Sequence, residues 1–102
     1  MLTVVLPGLA VDHGQLRDVC GRYRISRLAV FGSIVRGDAQ PDSDIDVLYE
    51  LQPGARLGWR IEELADELSA VLGRHADLVS FGALNARLRD KVLAEARLLY
   101  AA

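Results

Sequence analysis

Two aspartates one residue apart, Asp44 and Asp46, follow a glycine-serine pair, Gly32-Ser33, after ten intervening residues. In an extended strand alternate side chains share a face, so Asp44 and Asp46 would emerge on one side and Ile45, Val47 and Tyr49 on the other. The strand rise then sets the two carboxylates roughly 6.6 Å apart. Like charges so close repel unless a cation lies between them. Hard oxygen donors of this kind suit magnesium, which takes one or two carboxylates together with phosphates and water. The spacing therefore predicts a magnesium and phosphate site.

Gly32-Ser33 comes directly off an apolar run, Leu28-Ala29-Val30-Phe31, that reads as a strand. A glycine there lets the backbone turn sharply and approach a ligand, and a serine after it is a preferred helix N-cap. Backbone N–H groups at such a helix start attract anions, and the serine hydroxyl adds a donor. Arg36 would supply either a charge-assisted contact to phosphate or an ion pair to a nearby acid. Gly37, Asp38, Pro41, Asp42 and Ser43 form a polar turn that returns the chain to a second strand. Taken singly, Gly-Ser turns and Asp-rich loops are ordinary solvated loops. The joint spacing is what points to chemistry.

The elements that must position these residues can be read in chain order. Asp12, with Gln15 three residues on, marks the start of a first helix whose buried face carries Leu16, Val19, Cys20 and Tyr23. His13 lies in its first turn and has no assigned role. Gln52-Pro53-Gly54 ends the second strand, and a helix from about Leu57 to Leu72 follows, stopped by Gly73. Ile61, Leu64, Ala65, Leu68, Val71 and Leu72 line its inner face, while Glu62, Glu63, Asp66 and Glu67 read as a solvated one. Arg56, Trp59 and Arg60 precede it and could border the core or meet a partner or nucleotide. A third strand spans Ala76 to Phe81. Its Asp77 would be costly in an apolar strand unless paired or metal-bound, and His75 before it reads as surface, the alternative being a contact with the site. Leu84 to Ala96 forms an amphipathic helix with Leu84, Leu88, Val92 and Ala96 at four-residue spacing and a basic side of Arg87, Arg89, Lys91 and Arg97. Leu98-Leu99-Tyr100 closes as an apolar tail, where Tyr100 is expected to pack, the alternative being that it accepts a transferred nucleotide.

Gly32-Ser33, ten residues, then Asp44-x-Asp46 resembles the signature of the polymerase-beta-type nucleotidyltransferase superfamily. The fuller stretch GSIVRGDAQPDSDIDVL is most similar to the minimal nucleotidyltransferases, small prokaryotic proteins encoded beside a helical HEPN-domain partner, many of them antitoxins of toxin–antitoxin pairs. The motif covers about a sixth of the chain, and the order of elements from Asp12 to Tyr100 resembles this group as well. The resemblance implies an α/β (α+β) class and a polymerase-beta-like fold. That is a small mixed sheet with helices packed mainly on one face, leaving the face of Asp44 and Asp46 open.

The same resemblance implies catalytic and metal-holding roles for Asp44, Asp46 and Asp77, the last being the one carboxylate placed to help hold metal and act as general base. Gly32 and Ser33 would hold the triphosphate, and Arg36 would steady it or the loop. Two magnesium ions about 3.5–4 Å apart would stabilise the attacking oxygen and the leaving pyrophosphate. The expected activity is transfer of AMP from ATP to a tyrosine of a HEPN-type toxin, with this chain as the antitoxin. An expectation from another class is an antitoxin that neutralises its partner by contact alone, through Trp59 or the Leu84 helix. A third is nucleotidyl transfer to a small molecule or an RNA end.

Length and composition bound these expectations. At 102 residues the chain is expected to be one nucleotidyltransferase domain over 1–102, with little room for surfaces that hold base and acceptor. The acceptor would have to bring part of its own binding surface. Apolar residues make up 51% and charged residues 25%, as in soluble globular proteins. A net charge of -2 gives no support for direct nucleic-acid binding, which depends on clustered Lys and Arg. Cys20 alone can make no internal disulfide, so a reducing cytoplasm is the expected compartment. The apolar run Met1 to Leu9 lacks a basic leader and is far shorter than the roughly 20 residues that cross a bilayer. It reads as a short strand or extended arm stopped by Pro7-Gly8, with no membrane role.

Overall fold

A computed structural model describes residues 1–102, which form six strands and four helices in the order β1 (Thr3–Leu6), β2 (Leu9–Val11), α1 (His13–Arg22), β3 (Ile25–Phe31), α2 (Ser33–Arg36), β4 (Ile45–Leu51), α3 (Ile61–Leu72), β5 (Ala76–Ser80), α4 (Ala86–Glu95) and β6 (Arg97–Ala101). Strands β5, β4, β3 and β6 hydrogen-bond in that order, antiparallel except for the β4–β5 pair. A parallel pair needs a crossover connection, and α3 supplies it. The mixed α+β sheet expected from the sequence is therefore present.

The sheet is two-faced because the strands alternate. Ile25, Leu28 and Val30 of β3 and Ile45 and Val47 of β4 belong to the buried core, together with Leu16 and Val19 of α1 and Leu64, Leu68 and Leu72 of α3. Asp46, Leu48, Asp77 and Val79 point the other way, as their shared register on β4 and β5 requires. Helix α4 leans over this second face, where Leu93 and Ala96 border a groove of about 170 Å³ with Ala29, Leu48 and Leu98.

Local chemistry explains most boundaries. The Asp12 carboxylate accepts the Gly14 and Gln15 amides at 2.9 and 3.2 Å and caps α1. Gly73, left-handed at φ 75°, ends α3 as its position suggested. The N-terminal run is not a single arm: Pro7-Gly8 reverses it, so β1 and β2 pair as a hairpin.

Other expectations are corrected. A 3-10 turn over Gly58–Arg60 precedes α3, so the regular helix begins at Ile61, and Phe81 belongs to a second such turn rather than to β5. The tail Leu98-Leu99-Tyr100 is part of β6 and pairs with β3. Helix α4 begins after Asn85, whose side chain accepts the Leu88 amide at 2.9 Å. None of its residues is buried, and Leu88 remains 49% exposed.

One charged side chain leaves the role the sequence suggested, and another takes one of the roles it offered. Glu67 does not stand free in solvent; it pairs with Arg22 at 2.6 Å and accepts a hydrogen bond from the Tyr23 hydroxyl. Arg60 lies over the Tyr23 ring, 4.4 Å from its centre, at the core's edge, whereas Trp59 is wholly exposed. No helix is long and apolar enough to cross a membrane.

Candidate active site

The site begins where β3 ends. Gly32 has φ +81°, a conformation that side chains disfavour, and a Cβ built there would overlap Oδ2 of Asp46. Phe31 is the register partner of Asp46 across the β3–β4 ladder. The ladder thus brings the Gly32 main chain and the Asp46 carboxylate into direct contact, and only glycine permits the approach.

The single-turn helix α2 continues from there. The Val35 and Arg36 amides donate to the Gly32 carbonyl at 3.0 and 3.1 Å, and the Gly37 and Asp38 amides to the Ser33 carbonyl at 3.0 and 3.1 Å. Gly37, at φ +84°, turns the chain out of this helix. Gly32 rather than Ser33 takes the N-cap position of α2, with no side-chain cap bond, and Ser33 is the half-buried first residue of the helix.

The loop that follows is ordered by its own polar residues. Ser43 accepts the Gln40 amide on its hydroxyl at 2.9 Å and returns its own amide to the Gln40 carbonyl at 3.0 Å. Arg74, which the sequence reading passed over, donates to the same carbonyl at 3.0 Å and ties the loop to the end of α3. The Ile45 amide donates to the His75 carbonyl at 2.9 Å and starts the β4–β5 ladder. In that ladder Asp46 and Asp77 are register partners, on neighbouring strands about 4.8 Å apart. Their side chains share the second face.

Asp44 stands just before β4 rather than within it, and is exposed. Strand alternation therefore places Asp46 but not Asp44, which sits at the rim. Asp77 is exposed as well, because β5 is an edge strand and its second face is open. The burial cost expected of an aspartate in an apolar strand does not arise.

Asp46 is the strained member of the set. Its half-buried carboxyl is pushed above the usual carboxylate range, first by burial and then by the charge on Asp77, while Arg36 acts in the opposite direction. Asp44 and Glu95 add to the repulsion. Carboxylates gathered on one face with unbalanced repulsion are the donor chemistry of a hard divalent cation, so the residues fit magnesium by type. No three ligating side chains already converge into a preformed cluster.

The turn has a partner that the sequence did not reveal. Glu95, the last residue of α4, accepts the Gly32 amide on Oε2 at 3.0 Å and pairs through Oε1 with Arg36 at 2.8 Å. Arg36 also lies 3.6 Å from Asp38. The ion pair considered for Arg36 is formed. Arg36, and then the Gly32 amide, hold the Glu95 carboxyl below its usual range. The turn, Asp46 and the α4 side chains Leu88, Lys91, Val92 and Glu95 enclose a cleft of about 470 Å³.

Ser33, Asp44 and Asp77 do not line this cleft, and neither do His75 and Tyr100. His75 contributes its carbonyl and leaves its side chain exposed, and Tyr100 packs half-buried against the core.

Comparison with known proteins agrees with this fold. A family described as nucleotidyltransferase domain matches residues 14–99. Protein adenylyltransferase MntA of Thermococcus cleftensis is 38% identical over 87 residues, covering 85% of this chain and 84% of that one. A solved structure described as a minimal nucleotidyltransferase superposes with a TM-score of 0.70 at 38% identity, over 85% of this chain and 88% of that one. The fold is also shared, at 20% identity and a TM-score of 0.59, with a structure of a tri-AMPylated HEPN toxin from Shewanella oneidensis in complex with its MNT antitoxin. That match covers 88% of this chain and 70% of the other.

Proposed function

This chain belongs to the nucleotidyltransferase domain family, and we propose that it is a magnesium-dependent enzyme that transfers AMP from ATP to a tyrosine of a HEPN-type toxin and so acts as the antitoxin. One observation carries this reading: Gly32 lies against the Asp46 carboxylate, so a turn suited to phosphate and a carboxylate suited to metal border the same cleft. The relative named protein adenylyltransferase supports AMP as the group moved and protein as the acceptor. The antitoxin seen in complex with an AMPylated HEPN toxin supports the partner class.

In this mechanism Gly32 and Ser33 hold the phosphate chain through main-chain and hydroxyl donors, and Arg36 steadies it. Asp44, Asp46 and Asp77 are the residues that would hold magnesium. Bound magnesium supplies charge stabilisation for the attacking and leaving oxygens. The acceptor phenol oxygen attacks the α-phosphorus, forming an O–P bond as the bond to the β-phosphate oxygen breaks and pyrophosphate leaves. A carboxylate oxygen of Asp77 takes the phenol proton. The open second face leaves room for the acceptor side chain to approach.

The reading is tested by incubating the chain and its HEPN partner with ATP and magnesium and measuring the partner's intact mass. One or more AMP additions that map to tyrosine are expected. A partner silenced by binding but never modified with any of the four nucleotides would replace this reading with neutralisation by contact.

A further inference from the structure

Glu95 presents a carboxylate to the two donors best placed to take a phosphate. Its Oε2 accepts the Gly32 amide at 3.0 Å and its Oε1 the Arg36 guanidinium at 2.8 Å. Carboxylate and phosphate oxygens compete for such donors because both are anionic acceptors that form charge-assisted hydrogen bonds. The helix that brings Glu95 there is loosely held: α4 has no buried residue, and Leu88 and Leu93 are 49% and 45% exposed. Glu95 also adds to the repulsion on Asp46, so the closed arrangement gathers negative charge where a nucleotide must bring more.

We propose that Glu95 is an internal stand-in for phosphate that latches α4 over the Gly32 turn in the nucleotide-free protein, and that the phosphate chain of the incoming nucleoside triphosphate displaces it. This rests on the proposed nucleotidyltransferase function and adds a regulatory step to the same site. Nucleotide affinity is then net of breaking two hydrogen bonds. Release of α4 is a consequence of binding and uncovers the part of the second face beside the Gly32 turn.

The test is calorimetric titration of ATP with magnesium into the wild-type chain, E95D, E95Q and D90N, with thermal melts to verify folding. Aspartate keeps the charge but is one methylene too short to bridge both donors. Asp90, also on α4, is exposed, so D90N removes a charge without touching the latch. Both Glu95 variants should bind ATP roughly three- to tenfold more tightly, given the modest net strength of exchanged hydrogen bonds, with D90N unchanged. In hydrogen exchange, residues 86–95 of the wild type should become less protected on adding ATP, and those of E95D should be so without it. Wild-type or weaker ATP affinity in E95D would overturn the latch while leaving the function intact. Failure of the wild-type chain to bind ATP at all would overturn both.

Discussion

At Gly32 the main chain comes so close to Asp46 that a single methyl group is excluded. Gly32→Ala therefore has to pay for a positive φ and for displacing the carboxylate. A loss of about 1–3 kcal/mol in stability is expected from backbone strain of this kind, together with weakened ATP binding, measured by urea unfolding and titration. Cys20 is another residue whose surroundings fix its behaviour: burial pushes its thiol up to about 12, so it is a core residue and not a nucleophile. A maleimide at pH 8 should leave it unlabelled in the folded chain and label it in urea. Glu67 gives a pH dependence. Its carboxyl is lowered by Arg22 first and Tyr23 second, so its contribution is complete above the unfolded carboxylate range near about 4.3 and is lost as pH falls through the folded value. Glu67→Gln should flatten the acid side of the stability curve, which melts from pH 3 to pH 7 would reveal.

The helices differ in what anchors them. Helix α3 buries Leu64, Leu68 and Leu72, whereas α4 buries none of its residues. Leu64→Ala should cost about 2–5 kcal/mol and Leu88→Ala within about 0.5 kcal/mol, by denaturant unfolding of each variant. The same contrast explains what could be read from the sequence. The helical period found the inner faces of α1 and α3, because those faces are buried, and it found the stripe of α4 without revealing that it stays half-covered. The Gly32-Ser33 turn and the strand position of Asp46 are legible because turn chemistry and alternation are local, whereas Asp44 precedes β4 and escapes the alternation; Asp77 stands out as an acid in an apolar run. Glu95 gave no such signal: its bond to Gly32 joins residues 63 apart, and only the folded chain brings them together. Strand β6 was read as a tail because it follows α4 with no glycine or proline to mark a new element. The N-terminal hairpin was missed for a related reason. Pro7-Gly8 signals a break in the chain, but not whether the next residues turn back.

Across the whole molecule, the two faces of one sheet carry separate tasks. Helices α1 and α3 seal one face into the core, and the ends of β3, β4 and β5 offer a glycine turn and the carboxylates of Asp46 and Asp77 on the other side, with Asp44 just before β4. Because Asp44 and Asp77 are exposed and Asp46 is only half-buried, neutralising them removes charge without opening a cavity. Chemistry and folding should therefore be separable, and the decisive measurement exploits this. ATP labelled on its α-phosphate, with magnesium and the proposed HEPN-type partner, is to be compared for the wild-type chain and for the double variant D44A/D46A, with a thermal melt to verify that the variant folds. Label transferred to the partner by the wild-type chain and none by the folded variant is the expected result. Label transferred equally by the folded double variant would contradict the assignment of Asp44 and Asp46 to the reaction.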